Sequence, residues 1–293
     1  MGEHIGLLFF SGTGNTQIVT ELIQSTLQSK EVIVDIICIE EIVNQNKVVD
    51  MDQYSMIGIG YPVYGFKEPR IMKKLTEILP RTKTKDVFIF ETAADFISIN
   101  NNSSQYVIRK LHKKGYNVFY TRIICMGSNF FMKYDDELIK QLYLSALSKV
   151  EELCTDVLSR KKRIKTTNFL LRLTTNILHW FEDECLARIF GKSLRVLETC
   201  SHCGKCVRNC PSKNIRIKNK KISFKWNCLL CMRCIYNCPK NAIRSRGLSF
   251  LILKDGYNIK KIIESSDIKG KYITKDTKGF MKHFQRYFND SSI

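Results

Sequence analysis

"FFSGTGNTQ", residues 9–17, sets Ser11 and Thr13, two glycines and an Asn-Thr pair within six residues, directly after the apolar start "IGLLFF". A loop for a nucleoside triphosphate would end in Lys followed by Ser or Thr. Here the first lysine does not arrive until Lys30. The loop leads into a helical pattern, with Ile18, Val19, Leu22 and Ile23 on one face. The free N–H groups and positive dipole end of such a helix attract an anion without help from a cation. Ser11, Thr13, Asn15 and Thr16 add side-chain donors, and Gly12 and Gly14 let the backbone come close. The stretch 11–16 therefore reads as the cradle of a single phosphate, the plain alternative being a turn with an N-cap.

Working outward, short apolar runs alternate with amphipathic stretches. Residues 5–10, 32–39, 56–60, 87–92 and 118–126 read as strands, and 17–29, 69–79, 103–114 and 135–159 have helical spacing. Several of the strands are apolar throughout, as a sheet covered on both faces requires. The expected fold is α/β, a doubly wound parallel sheet of five strands, with ligands at the rim where the loops after the strands gather. Loops 11–16, 61–67, 93–102 and 127–134 meet there. In the second, "YPVYGFKEP", Tyr61, Tyr64 and Phe66 could stack on a planar ring.

"SGTGNT" after the first strand, "YPVYGF" after the third and "MGSN" after the fifth resemble a flavodoxin-like domain. The resemblance implies that residues 11–16 bind the phosphate of FMN. It also implies that Pro62, Val63, Tyr64 and Gly65, with Thr92, Ala93 and Ala94, flank the isoalloxazine. One departure stands out: relatives usually carry glycines after strand four, whereas this chain has "TAADFISINN", with Asp95 and Phe96.

The second half has different chemistry. Of twelve cysteines, eight lie between Cys200 and Cys238. From Arg188 to the end there are 24 Lys and Arg against 6 Asp and Glu, so nearly all of the net +19 falls in this half. "CSHCGKCVRNCP" (200–211) and "CLLCMRCIYNCP" (228–239) repeat C-x2-C-x2-C-x3-C-P, displaced by 28 residues. Thiolates are the ligands of iron-sulfur clusters, three from one run and the fourth from the other. Zinc is the plain alternative for paired C-x2-C, and two copies ending in Cys-Pro argue against it. The spacing resembles bacterial ferredoxins with two [4Fe-4S] clusters. By that resemblance Cys200, Cys203, Cys206 and Cys238 hold one cluster, and Cys210, Cys228, Cys231 and Cys234 the other. Between the runs, residues 214–224 read as a hairpin turning at Asn219 and Lys220. Cys38, Cys125, Cys154 and Cys185 are expected to be small buried hydrophobes, and His202 a neighbour of a cluster.

Residues 161–197, from the basic "KKRIK" through "FLLRLTTNILHWF", are expected to form a helical connector packing its apolar side on one domain, with contact to an anionic membrane surface as the weaker alternative. The expected organisation is thus a flavodoxin-like domain at 1–160, the connector at 161–197, a small α+β dicluster ferredoxin domain at 198–246 and an extension at 247–293 packing on the body. Read whole, the chain resembles the flavodoxin-ferredoxin fusions of anaerobic bacteria known as EFR-type ferrodoxins. The resemblance implies an electron-transfer protein with FMN and two [4Fe-4S] clusters. The alternatives are a flavin-dependent reductase of a quinone or nitro compound and a redox-sensing or assembly module without turnover.

No G-x-G-x-x-G follows a strand, so protein donors or acceptors are expected rather than a nicotinamide. The basic half favours an acidic partner of ferredoxin, flavodoxin or rubredoxin type, and no nucleic-acid motif accompanies its scattered lysines. No secretory leader or membrane-spanning run is apparent, and the cysteine usage fits a reducing, cytoplasmic setting. Oligomeric state and direction of electron flow are left open.

Overall fold

The computed structural model describes residues 2–45 and 48–290. Five parallel strands, β1 (His4–Phe9), β2 (Ile33–Cys38), β3 (Met56–Pro62), β4 (Lys85–Ala93) and β5 (Tyr116–Cys125), form one sheet in the order β2-β1-β3-β4-β5. That is the flavodoxin-like doubly wound order. The crossovers are α1 (Asn15–Gln28), α2 (Ile39–Gln45), α3 (Arg70–Ile78) and α4 (Gln105–His112), with α5 (Asp136–Leu158) after the last strand. The α2 turn carries no clear sequence signal. Ile5, Leu7, Phe88 and Phe90 face a core closed by α1 and α5, and Leu8, Phe10, Ile57 and Ile89 face a second one closed by α3 and α4.

The connector departs from expectation. α6 (Phe169–Trp180) continues through a π-helical turn, Phe181–Leu186, into α7 (Ala187–Ser193). Its polar side is the one that packs inward: Asn102 Nδ2 donates to Thr175 Oγ1, Lys67 Nζ donates to Asn176 Oδ1 at 2.7 Å, and His179 Nδ1 lies 3.3 Å from the Tyr64 carbonyl. With its polar groups so engaged, the helix turns its apolar side outward, leaving Phe169, Leu170, Ile177, Trp180 and Phe181 exposed.

The cysteine runs fold as two copies of one unit. β6 (Leu194–Val196), α8 (Lys205–Arg208) and β7 (Ile215–Lys218) recur as β8 (Lys221–Phe224), α9 (Arg233–Tyr236) and β9 (Ile243–Ser245), with β6 pairing β9 and β7 pairing β8. The shift of 28 residues survives in backbone detail. His202 and Leu230, Gly204 and Met232, and Lys213 and Asn241 all have positive φ. Asn219 and Lys220 turn the expected hairpin with φ of 49° and 59°.

The two halves share a core. Leu229 and Cys231 are buried in the same cluster as Leu8, Phe10 and Tyr61. The segment after residue 250 wraps the sheet domain: α10 (Ile259–Glu264) packs on α5, and Phe284 and Tyr287 of α11 (Phe284–Asn289) join the core beside it. Phe96 packs on His283, Phe284 and Tyr287, and His283 Nε2 lies 2.9 Å from Asp95 Oδ2. The loop after β4 is thus braced by this segment. Of the four isolated cysteines, Cys125 and Cys154 are buried as expected, whereas Cys38 and Cys185 are half-buried, because each sits where its element leaves the core.

The Tyr287 hydroxyl accepts a hydrogen bond of 2.9 Å from the Cys125 N–H. Tyr287→Phe leaves that buried donor without a partner, and a loss of about 1–3 kcal/mol in urea unfolding is the expected outcome.

Candidate functional site

Six segments converge at the carboxyl rim of the sheet around one cavity. Ser11, Gly12, Thr13, Asn15 and Thr16 line it, with Pro62, Val63, Tyr64, Gly65, Phe66, Thr92, Ala93 and Ala94. Gly14 is turned to a neighbouring cleft. Gly127, Ser128, Asn129 and Phe130 close another side. Two contributors come from outside the sheet domain: Glu182 of the π-helical turn and Leu230 between Cys228 and Cys231.

The first loop is held firmly. Gly14 N–H donates to Ser11 Oγ at 3.1 Å, and Asn129 Nδ2 donates to Thr13 Oγ1. The first helical hydrogen bond of α1 is Ile18 N–H to Gly14 O, so the N–H groups ahead of it have no helical acceptor and remain for an anion. Two of the expected side-chain donors are already engaged. Asn15 donates to Gly127 O at 2.8 Å and accepts from Tyr257, and Thr16 Oγ1 lies 2.7 Å from Thr92 Oγ1. They shape the loop, leaving Ser11 and Thr13 as the side chains nearer a ligand. These features fit a phosphate held chiefly by backbone.

A cation does stand at this loop, contrary to the sequence reading. Arg233, within the second cysteine run, donates to Ser11 O and Gly12 O and pairs with Glu40, while its Nη1 reaches Asn209 O at 3.1 Å. The guanidinium binds the loop's carbonyls from behind, so the N–H groups face the cavity. Gly12 is required at this junction, because a β-carbon there would lie 2.7 Å from the Cys231 carbonyl oxygen and 2.5 Å from the Tyr64 hydroxyl. That hydroxyl is buried and has no hydrogen-bond partner. Arg70, at the start of α3, ties a third corner: it donates to Cys228 O and pairs with Asp183 at 2.8 Å.

The structure brings the eight cysteines of the two runs into two neighbouring regions. Cys200, Cys203, Cys206 and Cys238 line one small cavity with Ile222, Pro239 and Ile243. Burial pushes the Cys234 thiol up, with the nearby Cys231, Cys228, Cys210 and Cys206 adding to it. Backbone N–H groups address the sulfurs in matched pairs: His202 to Cys200 and Leu230 to Cys228, Asn214 to Cys210 and Ala242 to Cys238, all at 3.2–3.4 Å. Such donors stabilise thiolates. Among the described residues no three Cys, His, Asp or Glu side chains come together around a single metal ion. A cubane asks instead for one thiolate at each of four corners, and these two quartets fit it. Cys203 is exposed, whereas Cys228 and Cys231 are buried.

Residues 192–239 match the family described as 4Fe-4S dicluster domain. The chain joins a flavodoxin-like domain to a 4Fe-4S dicluster domain. No curated protein matches it. Among solved structures, oxidised flavodoxin 2 from Bacillus cereus is 16% identical, with 54% of this chain and 99% of that one covered and a TM-score of 0.39. A flavodoxin from the domain Archaea is 16% identical over 52% and 99%, with a TM-score of 0.33. The flavodoxin of Streptococcus pneumonia TIGR4 is 13% identical over 54% and 99%, with a TM-score of 0.38. The fold rests on the strand order β2-β1-β3-β4-β5.

Behind the second loop of the flavodoxin-like domain lies a buried acidic group that the sequence did not announce. Glu91 faces Tyr61 across β3 and β4. Burial raises its carboxyl to about 8, opposed by hydrogen bonding to Ser103 and Tyr61 and aided by Glu68. Glu68 rises to about 6 by burial, and Glu182 to about 7 by burial and the nearby Asp183. Burial, with Lys73 and Lys67, lowers His179 to about 4, so the ring is neutral at pH 7. The folded chain therefore keeps carboxyl protons that the unfolded chain has lost. Stability is greatest below about 4.5 for these groups and falls as pH rises through 8, by about 1.4 kcal/mol per pH unit for each group so held. Glu91→Gln should remove one such slope from urea unfolding measured across this range.

Proposed function

We propose that this protein is an electron-transfer protein relaying electrons between FMN in the rim cavity and two [4Fe-4S] clusters, one held by Cys200, Cys203, Cys206 and Cys238, the other by Cys210, Cys228, Cys231 and Cys234. One observation carries the reading: Leu230, from the second cluster loop, lines the cavity that Ser11 and Thr13 line, and the Cys231 carbonyl stands against Gly12. Bound flavin supplies exchange of either one or two electrons, and a cluster exchanges one.

The chain's own residues do the rest. The N–H groups at the start of α1 would hold the phosphate, and Arg233 holds the carbonyls of Ser11 and Gly12 ahead of them. Val63, Tyr64 and Ala94 wall the ring site and keep water from it. Glu182, neutral below about pH 7, would hold a proton on its carboxyl beside Gly65, on the wall of the ring site. Cys228 and Cys231, buried beside the rim cavity, would hold the cluster nearer the flavin, and Cys203, exposed, would belong to the cluster nearer a partner.

Anaerobic purification with iron, sulfide and flavin analysis tests the cofactor content: one FMN and eight irons per chain are expected from two four-iron clusters. Thr13→Ala should weaken FMN retention about tenfold with iron unchanged. Cys210→Ala should disturb the paramagnetic signal of the buried cluster more than that of the exposed one. Full FMN retention in the first variant, or the opposite order in the second, overturns the site assignments.

The partner we infer is an acidic redox protein docking on the basic dicluster half. Exposed charges there gain on-rate by steering, and salt screens that gain within about 8–10 Å. Stopped-flow transfer to an acidic ferredoxin should slow steeply as salt rises, and Lys205→Glu with Arg208→Glu should flatten the dependence.

A second reading has one observation in its favour. An open groove lined by Phe96, Ile123, Phe280, Arg163 and Arg286 adjoins the cavity through Asp95 and Ile97. It is large enough for a small oxidant, and steady turnover of a quinone or nitro compound would favour that reading.

A further inference from the structure

α6 is an amphipathic helix mounted inside out. Thr175 and His179 are the side chains it buries. Phe169, Leu170, Leu173, Ile177, Leu178 and Trp180, with Phe181 beyond its end, are between 48% and 72% exposed. So many large apolar side chains on one short helix make a continuous patch of the kind that marks an interaction surface. Burying them against the body was open to this sequence, yet the hydrogen bonds of Asn102, Lys67 and the Tyr64 carbonyl hold the polar side in. The exposed face is therefore maintained by specific contacts on the opposite one.

Charge says what covers it. Lys162 and Arg172 are exposed at and before the helix, and Arg163 and Lys165 are half-buried beside them. The neighbouring acids are largely neutralised: Asp183 by Arg70 and Lys73, Glu184 by Arg188, and Asp156 by Lys161. We propose that the outward face of α6 seats this protein on an anionic lipid bilayer, the helix lying in the plane of the headgroups with its cationic rim against them. Aromatic and aliphatic side chains over a basic flank are what an interfacial helix presents, and Trp180 is the residue type that settles at that depth. At 12 residues the helix is about 18 Å long and cannot cross a hydrocarbon core of about 30 Å. No helix among the described residues is long and apolar enough to do so. A second copy suits the face less well. Two chains of net charge +19 repel, whereas an anionic surface attracts that charge. The inference goes beyond the proposed function, since it depends on α6 and not on what the rim cavity binds.

Flotation of the full, cofactor-loaded protein with vesicles decides it. Phosphatidylcholine vesicles carrying about a third phosphatidylglycerol should bind the protein, phosphatidylcholine alone should bind it weakly, and salt should release it. In a Trp226→Phe background, Trp180 fluorescence should shift to the blue on adding anionic vesicles. Leu170→Ser with Ile177→Ser and Trp180→Ser should weaken binding about tenfold or more with iron and flavin content unchanged. Lys162→Glu with Arg172→Glu, which leaves the apolar face intact, should weaken it by a smaller factor. No binding to anionic vesicles, or equal binding by the triple-serine variant, overturns the proposal. So does a dimer in sedimentation that the triple-serine variant abolishes, which would give the face to a second copy. Loss of flavin from the wild type leaves the proposal standing and removes only the cofactor assignment.

Discussion

Arg233 is the residue on which the arrangement turns. Its guanidinium is half-buried, lies over Phe10, pairs with Glu40 and donates to the carbonyls of Ser11 and Gly12, while its own backbone belongs to the second cysteine run. A buried charge is costly unless its partners are in place. Here the partners sit on two different domains, so the pair of domains has one relative placement that satisfies it. Gly12 and Tyr64 then set how closely Cys231 approaches the loop, and Leu229 closes the shared core. A lysine could not do this, since it lacks the planar fork that addresses two carbonyls and a carboxylate at once.

Most of the scaffold was legible because it is written in short-range patterns. Apolar runs of strand length alternate with helical spacing up to residue 159, and the five strands follow them. The cysteine repeat announces its own pseudo-symmetry, down to paired positive φ at His202 and Leu230. The illegible part depends on contacts between distant residues. Nothing local marks Arg233 as a partner of residue 11, Glu182 as a wall of the rim cavity or Phe96 as a seat for the final helix. Asn15 was read as a phosphate donor on its residue type, whereas Gly127 and Tyr257 occupy its amide.

The connector shows where patterning misleads. Its apolar spacing is that of a helix with one buried side, and the usual reading buries that side. The outcome was decided by Thr175, Asn176 and His179, which found partners on the body. Polar groups with well-placed partners on the body set which side of a helix faces in. The π-helical turn at 181–186 has its own effect, bringing Glu182 against Gly65 where the chain continues toward α7.

The insertion of Leu229 and Cys231 into the core of the sheet domain bears on how the protein fails. In a two-domain carrier joined by a loose tether, oxidative loss of a cluster would leave a competent flavin able to pass electrons to oxygen. Here the loop that carries Cys228 and Cys231 also abuts Gly12, so its collapse would disturb the rim cavity with it. On the proposed function, damage at the sulfur would disarm the flavin as well, and the molecule would be lost whole instead of surviving as a leak.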